Sequence, residues 1–300
     1  MKNILLFGAG KSTTVLIDYI LKHSETEQWK IIVVDADLHL AKSKTAGHPN
    51  ARASSFDINN NAERLEIINS ADIVISMLPI ALHLLVAKDC IVCKKNLLTA
   101  SYIDPAMHDL KNEIEKNGLL FLCEMGLDPG IDHMSAMKII DPIRESGGKM
   151  LLFESFTGGL IAPESDDNLW NYKFTWNPRN VVVAGQGTAA EFIQEGTYKY
   201  IPYQKLFRRT EILDIEGYGK FEAYANRDSL KYRKIYGLNN VLTLYRGTIR
   251  RIGFSKAWNC FVQLGMTADD YTMERAETMS YREFTNSFLA YNPNDSVELK

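Results

Sequence analysis

The segment from Gly126 to His133, Gly-Leu-Asp-Pro-Gly-Ile-Asp-His, carries the side chains of this sequence best suited to chemistry. It holds two carboxylates, Asp128 and Asp132, next to a proline that stiffens the backbone. The segment follows the last predicted strand of an open parallel sheet, and ligands of such sheets collect at the carboxyl ends of the strands. We therefore expect a small-molecule site here, with a plain Gly-Pro turn between domains as the alternative.

A hydroxyl and a phenol, those of Ser101 and Tyr102, follow the fifth predicted strand and should share this rim with Asp128. A phenol and a carboxylate suit a reaction in which a nitrogen or oxygen exchanges a proton while a hydride moves. The alternative is a capping serine and a half-buried tyrosine without a chemical role.

The first strand is followed by Gly8-Ala9-Gly10-Lys11-Ser12-Thr13, which opens a helix. Gly8 permits a tight turn, and Gly10 lets a pyrophosphate approach the positive end of the helix, so we predict that Gly8, Gly10, Lys11 and Ser12 bind a dinucleotide. Thr13 occupies the third fingerprint position, where glycine or alanine is usual. Its hydroxyl could instead bond a phosphate oxygen.

An acid ends the second predicted strand, at Asp35, where the adenosine ribose of a dinucleotide should lie. A carboxylate there binds the ribose hydroxyls and repels a 2'-phosphate, so Asp35 favours NAD over NADP. A merely solvated acid is the alternative. The remaining predicted cofactor contacts lie at the ends of later strands: Asp57 and Ile58 at the adenine, Leu78 and Pro79 at the nicotinamide half, and Ser101 and Leu127.

Short apolar strands alternate with helical stretches such as 12–22 and 105–117 through the first half of the chain. The candidate strands span residues 3–7, 30–35, 51–57, 72–77, 96–100 and 119–124. This alternation predicts an α/β fold with a doubly wound parallel Rossmann sheet in the order 3-2-1-4-5-6.

From residue 130 onward a helix over 133–146 is followed by strands mixed with turns. We therefore expect two domains, a dinucleotide-binding domain over 1–129 and an α+β substrate domain over 130–300. Arg227 and Arg250, set near Asn226 and Thr248, look like forks for binding carboxylates. The alternative for Arg227 is a surface ion pair with Asp228.

Composition narrows the class of protein. With 46% hydrophobic residues, a formal net charge of -3 and scattered basic residues, the chain is expected to be a soluble cytoplasmic protein with no nucleic-acid partner. No apolar run reaches the ~18 residues that span a membrane. Four cysteines suggest reduced thiols, with Cys90 and Cys93 in core packing, and the dispersed histidines give no metal site.

Several motifs, in this order along nearly the whole chain, resemble the saccharopine dehydrogenase family of the L-glutamate-forming type. They are Ser101-Tyr102, the segment 126–133, Gly158-Gly159-Leu160 with Ala162-Pro163-Glu164-Ser165, Tyr172-Lys173-Phe174, Asn226-Arg227-Asp228 and Arg246-Gly247-Thr248.

The resemblance implies reversible hydride transfer between a nicotinamide cofactor and the secondary amine of saccharopine, followed by hydrolysis to glutamate and 2-aminoadipate 6-semialdehyde. It implies substrate contacts from Ser101, Tyr102, Asp128, Asn226, Arg227, Thr248 and Arg250. Asp128 would orient the amine and help to deprotonate it, and Tyr102 would assist. Arg227 and Arg250 would hold carboxylates, of which saccharopine has three.

The sequence also departs from the family pattern. Asp35 stands where NADP-using fungal members carry an arginine-containing turn, and Thr157 stands where many members have cysteine. Because family members usually run longer, we expect a truncated or split enzyme.

The sequence does not determine the oligomeric state, and a homodimer is one possibility. A carboxynorspermidine-type amine dehydrogenase, or a non-catalytic NAD-binding module, remains an alternative function.

Overall fold

The computed structural model describes all 300 residues. It divides into two compact units, unit 1 from Met1 to Ala136 and unit 2 from Met137 to Lys300. The division lies inside a helix, α7 (Ile131–Glu145), whereas the sequence analysis places the boundary after residue 129.

Unit 1 alternates strands with helices along the chain. Its strands are β1 (Lys2–Phe7), β2 (Trp29–Val34), β3 (Ala51–Ser54), β4 (Ile73–Ser76), β5 (Asn96–Thr99) and β6 (Phe121–Leu122). Its helices are α1 (Thr14–His23), α2 (Leu38–Thr45), α3 (Asn61–Asn69), α4 (Ile80–Val92), α5 (Pro105–Asp109) and α6 (Lys111–Lys116).

The six strands form one sheet in the order β3-β2-β1-β4-β5-β6, and every pairing is parallel. Leu5 and Phe7 of β1 pack into one apolar cluster, and Ile4 and Leu6 pack into another. Alternate side chains of a strand point to opposite faces, so the sheet is buried on both faces, as parallel sheets require. The predicted fold and strand order are confirmed.

Several elements are shorter than the sequence pattern suggests. β3 ends at Ser54 instead of continuing to Asp57, and β6 contains only Phe121 and Leu122. The helix expected over 105–117 is two helices, α5 and α6, that meet at Leu110. Asp104 begins α5 by accepting a hydrogen bond from the backbone amide of Met107 at 2.7 Å, a typical N-terminal cap.

Unit 2 has a different pattern of elements. Its strands are β7 (Leu152–Thr157), β8 (Ala190–Gln194), β9 (Thr197–Ile201), β10 (Thr210–Ile215), β11 (Gly219–Ala225) and β12 (Thr243–Arg251). Its helices after α7 are α8 (Pro178–Val182), α9 (Tyr203–Leu206), α10 (Tyr232–Ile235), α11 (Phe254–Leu264) and α12 (Tyr281–Asn286).

The strands of unit 2 form a mixed sheet in the order β10-β11-β12-β8-β9, and β7 also pairs with β12. Only the pairing of β7 with β12 is parallel. The core beside this sheet is rich in aromatic rings, including Phe254 and Trp258 of α11, which stack at 5.5 Å between centroids. The α+β class predicted for this part of the chain is confirmed.

All four cysteines are free thiols, and Cys90 lies fully buried in the apolar cluster under β1. Burial raises the pKa of the Cys90 thiol well above its usual value, which makes the thiol unreactive.

None of the helices has both the length and the apolar character that crossing a membrane demands.

Candidate active site

The glycine-rich turn after β1 has the geometry that a dinucleotide needs. Gly8 has φ of +100°, and a Cβ atom there would lie 2.8 Å from the backbone oxygen of Met77. Only glycine fits that position without strain. A Cβ on Gly10 would meet no atom within 4 Å, so the backbone at Gly10 is open to a ligand. The turn therefore fits a dinucleotide pyrophosphate.

Lys11 and Ser12 are exposed in a short 3-10 turn that leads into α1. The next residue, Thr13, is 1% exposed, and its hydroxyl donates to the carbonyl of Gly10 at 2.9 Å. The expectation that this hydroxyl could bond a phosphate is wrong, because the hydroxyl is buried and engaged within the turn. Thr13 instead fills the place of the usual small residue by packing inward.

Asp35, directly after β2, holds the glycine-rich turn with its carboxylate. Its two oxygens accept hydrogen bonds from the backbone amides of Ala9 at 2.7 Å and Asp37 at 2.9 Å. The Asp37 carboxylate caps α2 by accepting from the amides of His39 and Leu40. Two acidic residues, with separate backbone partners, therefore follow the end of β2.

The Asp57–Ile58 turn lies beyond the end of β3 and is held by a buried arginine. Arg64 donates to the Ile58 carbonyl at 2.5 Å and forms an ion pair with Asp89 of α4, also at 2.5 Å. Both charged side chains are almost fully buried, so each depends on the other for compensation. The sequence analysis did not identify this pair.

The end of β4 carries the residues expected at the nicotinamide half. Leu78 is half-buried and packs against the core, whereas Pro79 is exposed and precedes α4. His83, in the first turns of α4, is 4% exposed and lies 2.8 Å from Ser101 Oγ through its Nε2 atom. Sequence analysis missed His83; the signal was a lone histidine in an apolar helix that follows a strand of the cofactor sheet.

Tyr102 and Asp128 come together within unit 1. The Tyr102 hydroxyl donates to Asp128 Oδ1 at 2.6 Å, and both side chains are half-buried. The acidic loop folds back on itself, because the amide of Gly126 donates to the Pro129 carbonyl at 2.8 Å. Leu127, next to Asp128, is 51% exposed. A short phenol–carboxylate bond is a charge-assisted contact that can hold and move a proton.

The base of this loop carries a second cluster of titratable groups that sequence analysis did not assign. His133 Nε2 lies 3.2 Å from Glu124 Oε2, and His133 Nδ1 lies 3.4 Å from Asp132 Oδ2. Asp132 is 5% exposed and accepts from the amide of Gly130 at 2.7 Å. The second carboxylate of the motif therefore supports the loop from inside.

In unit 2, Arg227 is exposed and adopts φ of +43°, in the left-handed region. The amide of the neighbouring Asn226 donates to the Arg246 carbonyl at 2.8 Å. The Asp228 carboxylate accepts from the amides of Leu230 at 2.8 Å and Lys231 at 3.2 Å, so it stabilises the local turn.

Arg250 lies two residues after Thr248 on β12, and both side chains therefore share a face of the sheet. Its guanidinium carbon lies 5.1 Å from the ring centroid of Tyr172 and 5.3 Å from that of Phe254. Its Nη1 atom donates to the Ile249 carbonyl at 3.0 Å. Cation–π contacts of this kind hold a planar guanidinium in one orientation.

No cluster of three or more histidine, cysteine or acidic side chains could hold a metal ion. The features that fit a dinucleotide lie in unit 1, on the turn after β1 and on the carboxyl ends of the strands. Within that unit Tyr102 bonds to Asp128, and Ser101 immediately precedes Tyr102.

Comparison with known proteins identifies relatives that share both parts of this chain. Residues 4–122 match the saccharopine dehydrogenase NADP binding domain, and residues 126–296 match the saccharopine dehydrogenase C-terminal domain. The chain is 32% identical over 299 residues to saccharopine dehydrogenase [NADP(+), L-glutamate-forming] of Saccharomyces cerevisiae, covering 99% of this chain and 66% of the yeast protein.

The chain is also 36% identical over 270 residues to the mitochondrial alpha-aminoadipic semialdehyde synthase of Bos taurus, covering 90% of this chain and 29% of the bovine protein. The solved structure of apo histidine-tagged saccharopine dehydrogenase (L-Glu forming) from Saccharomyces cerevisiae superposes with a TM-score of 0.83 at 32% identity, over 96% of this chain and 64% of the yeast chain. The chain thus spans less than a third of the bovine relative's length and about two thirds of the yeast relative's. It belongs to the saccharopine dehydrogenase family.

Proposed function

We propose that this chain catalyses the reversible NAD(P)-dependent oxidation of saccharopine to L-glutamate and 2-aminoadipate 6-semialdehyde, a step of lysine metabolism. The relatives named for this activity match nearly the whole of this chain, which supports the substrate assignment. The observation that carries the chemistry is the 2.6 Å hydrogen bond from the Tyr102 hydroxyl to the Asp128 carboxylate.

The reaction requires a hydride to leave the carbon next to the amine nitrogen and a proton to leave the nitrogen itself. The bound nicotinamide supplies the hydride acceptor. The Asp128 carboxylate accepts a hydrogen bond from the amine and takes its proton, and the Tyr102 hydroxyl holds that carboxylate in place through Oδ1. A C=N bond forms; water then adds to it, and cleavage of the C–N bond releases glutamate and the semialdehyde.

The proposed substrate contacts have two roles. Ser101, Tyr102 and Asp128 would contact the amine, and Asn226, Arg227, Thr248 and Arg250 would bind carboxylates. A planar guanidinium donates two parallel hydrogen bonds to a carboxylate, which suits a substrate that carries three of them.

We further propose that NAD is favoured over NADP. The Asp35 carboxylate lies directly after β2, where its negative charge opposes a 2'-phosphate, and Asp37 adds a second acid two residues later. The yeast relative carries NADP(+) in its name, so this preference would set the chain apart from it. The proposed cofactor contacts are Gly8, Gly10, Lys11, Ser12, Asp35, Asp57, Ile58, Leu78, Pro79, Ser101 and Leu127.

The decisive experiment measures initial rates of NAD and NADP reduction with saccharopine, beside carboxynorspermidine as the alternative substrate. We expect reduction of NAD with saccharopine and a lower rate with NADP. If the protein oxidises carboxynorspermidine and not saccharopine, the proposed substrate is wrong and carboxynorspermidine takes its place. Tight NADH binding without turnover of either amine would identify a non-catalytic module.

Cell fractionation and a measured mass in solution would test the cytoplasmic location and the homodimer that we also propose.

A further inference from the structure

A buried histidine links two strand ends of unit 1. His83 Nδ1 lies 2.8 Å from the hydroxyl of Ser76, the last residue of β4, and His83 Nε2 lies 2.8 Å from the hydroxyl of Ser101, beyond β5. Ser76 is fully buried and His83 is 4% exposed. A buried imidazole needs partners for both nitrogens, and the two serines supply them.

The imidazole in this place is neutral. Burial lowers the pKa of His83, with the charge of Asp104 acting in the opposite direction. A neutral imidazole has one donor and one acceptor nitrogen, so one serine hydroxyl donates to it and the other accepts from it. In either tautomer the Ser101 oxygen is held 2.8 Å from Nε2. Where Ser101 donates to Nε2, its lone pairs face outward; where Ser101 accepts from Nε2, its proton stays available to a ligand.

The backbone of Ser101 is fixed as well. Its amide lies 3.2 Å from Thr99 Oγ1, and its carbonyl accepts from the amide of Glu124 at 3.1 Å. With the main chain and the side-chain oxygen both held, Ser101 Oγ has a set position from which it can meet a ligand. Tyr102, which bonds to Asp128, is the next residue.

We propose that His83 is a positioning residue for this enzyme: it orients the Ser101 hydroxyl toward the dinucleotide and the substrate through the Ser76–His83–Ser101 chain. His83 acts through Ser101 and is not itself a catalytic residue. The inference rests on the proposed function, because Ser101 is one of its proposed substrate and cofactor contacts.

Two substitutions of His83 separate its two nitrogens. The carboxamide of glutamine reaches the place of Nε2, so His83→Gln keeps a partner for Ser101 and loses the one for Ser76. The shorter asparagine reaches only the place of Nδ1, so His83→Asn does the reverse. A merely structural histidine would respond in the same way to both changes, since each leaves one buried serine without its partner.

We expect His83→Asn to lower kcat/KM for saccharopine about tenfold, the usual effect of one lost hydrogen bond, and His83→Gln to lower it by no more than about threefold. Ser101→Ala should match the loss in His83→Asn. In the double variant His83→Asn/Ser101→Ala the loss should be no greater than in Ser101→Ala alone, because His83 has nothing left to orient.

Equal losses in His83→Asn and His83→Gln, or losses in the double variant that multiply, would overturn the proposal. NADH dissociation constants of the same four variants provide a readout that needs no turnover. If the parent protein does not oxidise saccharopine, the proposed function fails while the NADH series still tests His83. Weaker NADH binding in His83→Asn and Ser101→Ala than in His83→Gln supports the positioning role, and equal binding in all variants removes it.

Discussion

In unit 1 the proposed site residues follow parallel strands, and two of them, Tyr102 and Asp128, hydrogen-bond to each other. In unit 2 one proposed arginine lies on a turn and the other lies against aromatic rings. The topology of a parallel sheet gathers its strand ends on one edge, which brings Tyr102 within 2.6 Å of Asp128 although the two are distant in sequence. The position of Arg250 depends instead on the rings of Tyr172 and Phe254. Regular topology therefore explains the first group of residues and side-chain packing explains the second.

The largest expected effect concerns Asp128. Asp128→Asn keeps the size of the side chain but removes the carboxylate that takes the proton, so kcat for saccharopine should fall by about 10²–10⁴-fold. NADH affinity should stay within about twofold, since the change leaves the glycine-rich turn intact. Steady-state kinetics and an NADH titration measure the two quantities.

Asp109→Asn, an exposed acid on α5, is the matched control and should leave both quantities unchanged. A kcat for Asp128→Asn close to that of the parent would show that Asp128 does not accept the proton of the amine. The hydrogen bond between Tyr102 and Asp128 would then have a structural role only.

The arginines of unit 2 should affect substrate binding more than the rate of chemistry. Arg250→Met keeps an apolar stem against Tyr172 and Phe254 but removes the charge, and we expect KM for saccharopine to rise about ten- to hundredfold. Arg227→Ala should raise KM less, about three- to tenfold, because an exposed guanidinium is well solvated and screened.

Arg282→Met provides the control, since Arg282 pairs with Glu298 on an exposed surface of unit 2. Should KM stay constant in both Arg250→Met and Arg227→Ala, the carboxylates of the substrate must be bound elsewhere. A larger effect at Arg227 than at Arg250 would show that the aromatic rings do not orient a binding group.

Much of unit 1 could be predicted because its signals are local. Short apolar strands, a Gly-x-Gly turn and an acid at the end of β2 are each encoded in a few adjacent residues. The sequence pattern predicted the strand order, and the structure confirms it. The predicted ends of the elements were less accurate. The helical pattern over 105–117 continues through Leu110, where α5 and α6 separate, and no proline or glycine marks the break.

The contacts that escaped prediction join residues that are distant in sequence. His83 and Asp89 lie in the apolar helix α4, and Arg64 lies in the largely polar helix α3. Neither helix indicates by its own sequence which partner its buried polar side chain meets, and the partners become visible only in the fold. Nor does the sequence around Arg250 indicate Tyr172, because the two belong to separate segments of unit 2. Local pattern identifies chemistry at strand ends and misses chemistry assembled by packing.

Cofactor choice should show a smaller effect, within unit 1. Asp35→Ala removes the acceptor for the ribose hydroxyls and the repulsion of a 2'-phosphate, so we expect NAD to bind about tenfold more weakly and NADP to change less. Dissociation constants for both dinucleotides give the ratio. Asp18→Ala, which removes an exposed acid of α1 without a proposed cofactor contact, is the control and should leave both dissociation constants unchanged.

Equal losses of NAD and NADP in Asp35→Ala would mean that Asp35 serves only to hold the amides of Ala9 and Asp37. A parent protein that prefers NADP would instead assign the ribose contact to other groups. Either result would reduce the acidic end of β2 to a structural feature.

The smallest expected effect is on the pH dependence of stability. Burial holds the pKa of His83 below the value of 6.5 of a free histidine, although Asp104 opposes the shift. As the pH falls through 6.5, the unfolded chain takes up a proton before the folded chain does, so the free energy of unfolding falls until the folded pKa is passed. Arginine side chains stay charged throughout this range, so the proposed arginines of unit 2 add nothing to this slope.

His83→Gln and His83→Asn both remove the titrating group. The difference in melting temperature between the parent and either variant should therefore shrink when the pH is lowered from about 7.5 to about 5.5. Both variants should show the same change of slope even though their activities with saccharopine are expected to differ. Parallel melting curves across this range would mean that His83 is as easily protonated in the folded chain as in the unfolded one, and that the chain from Ser76 to Ser101 does not hold a neutral imidazole.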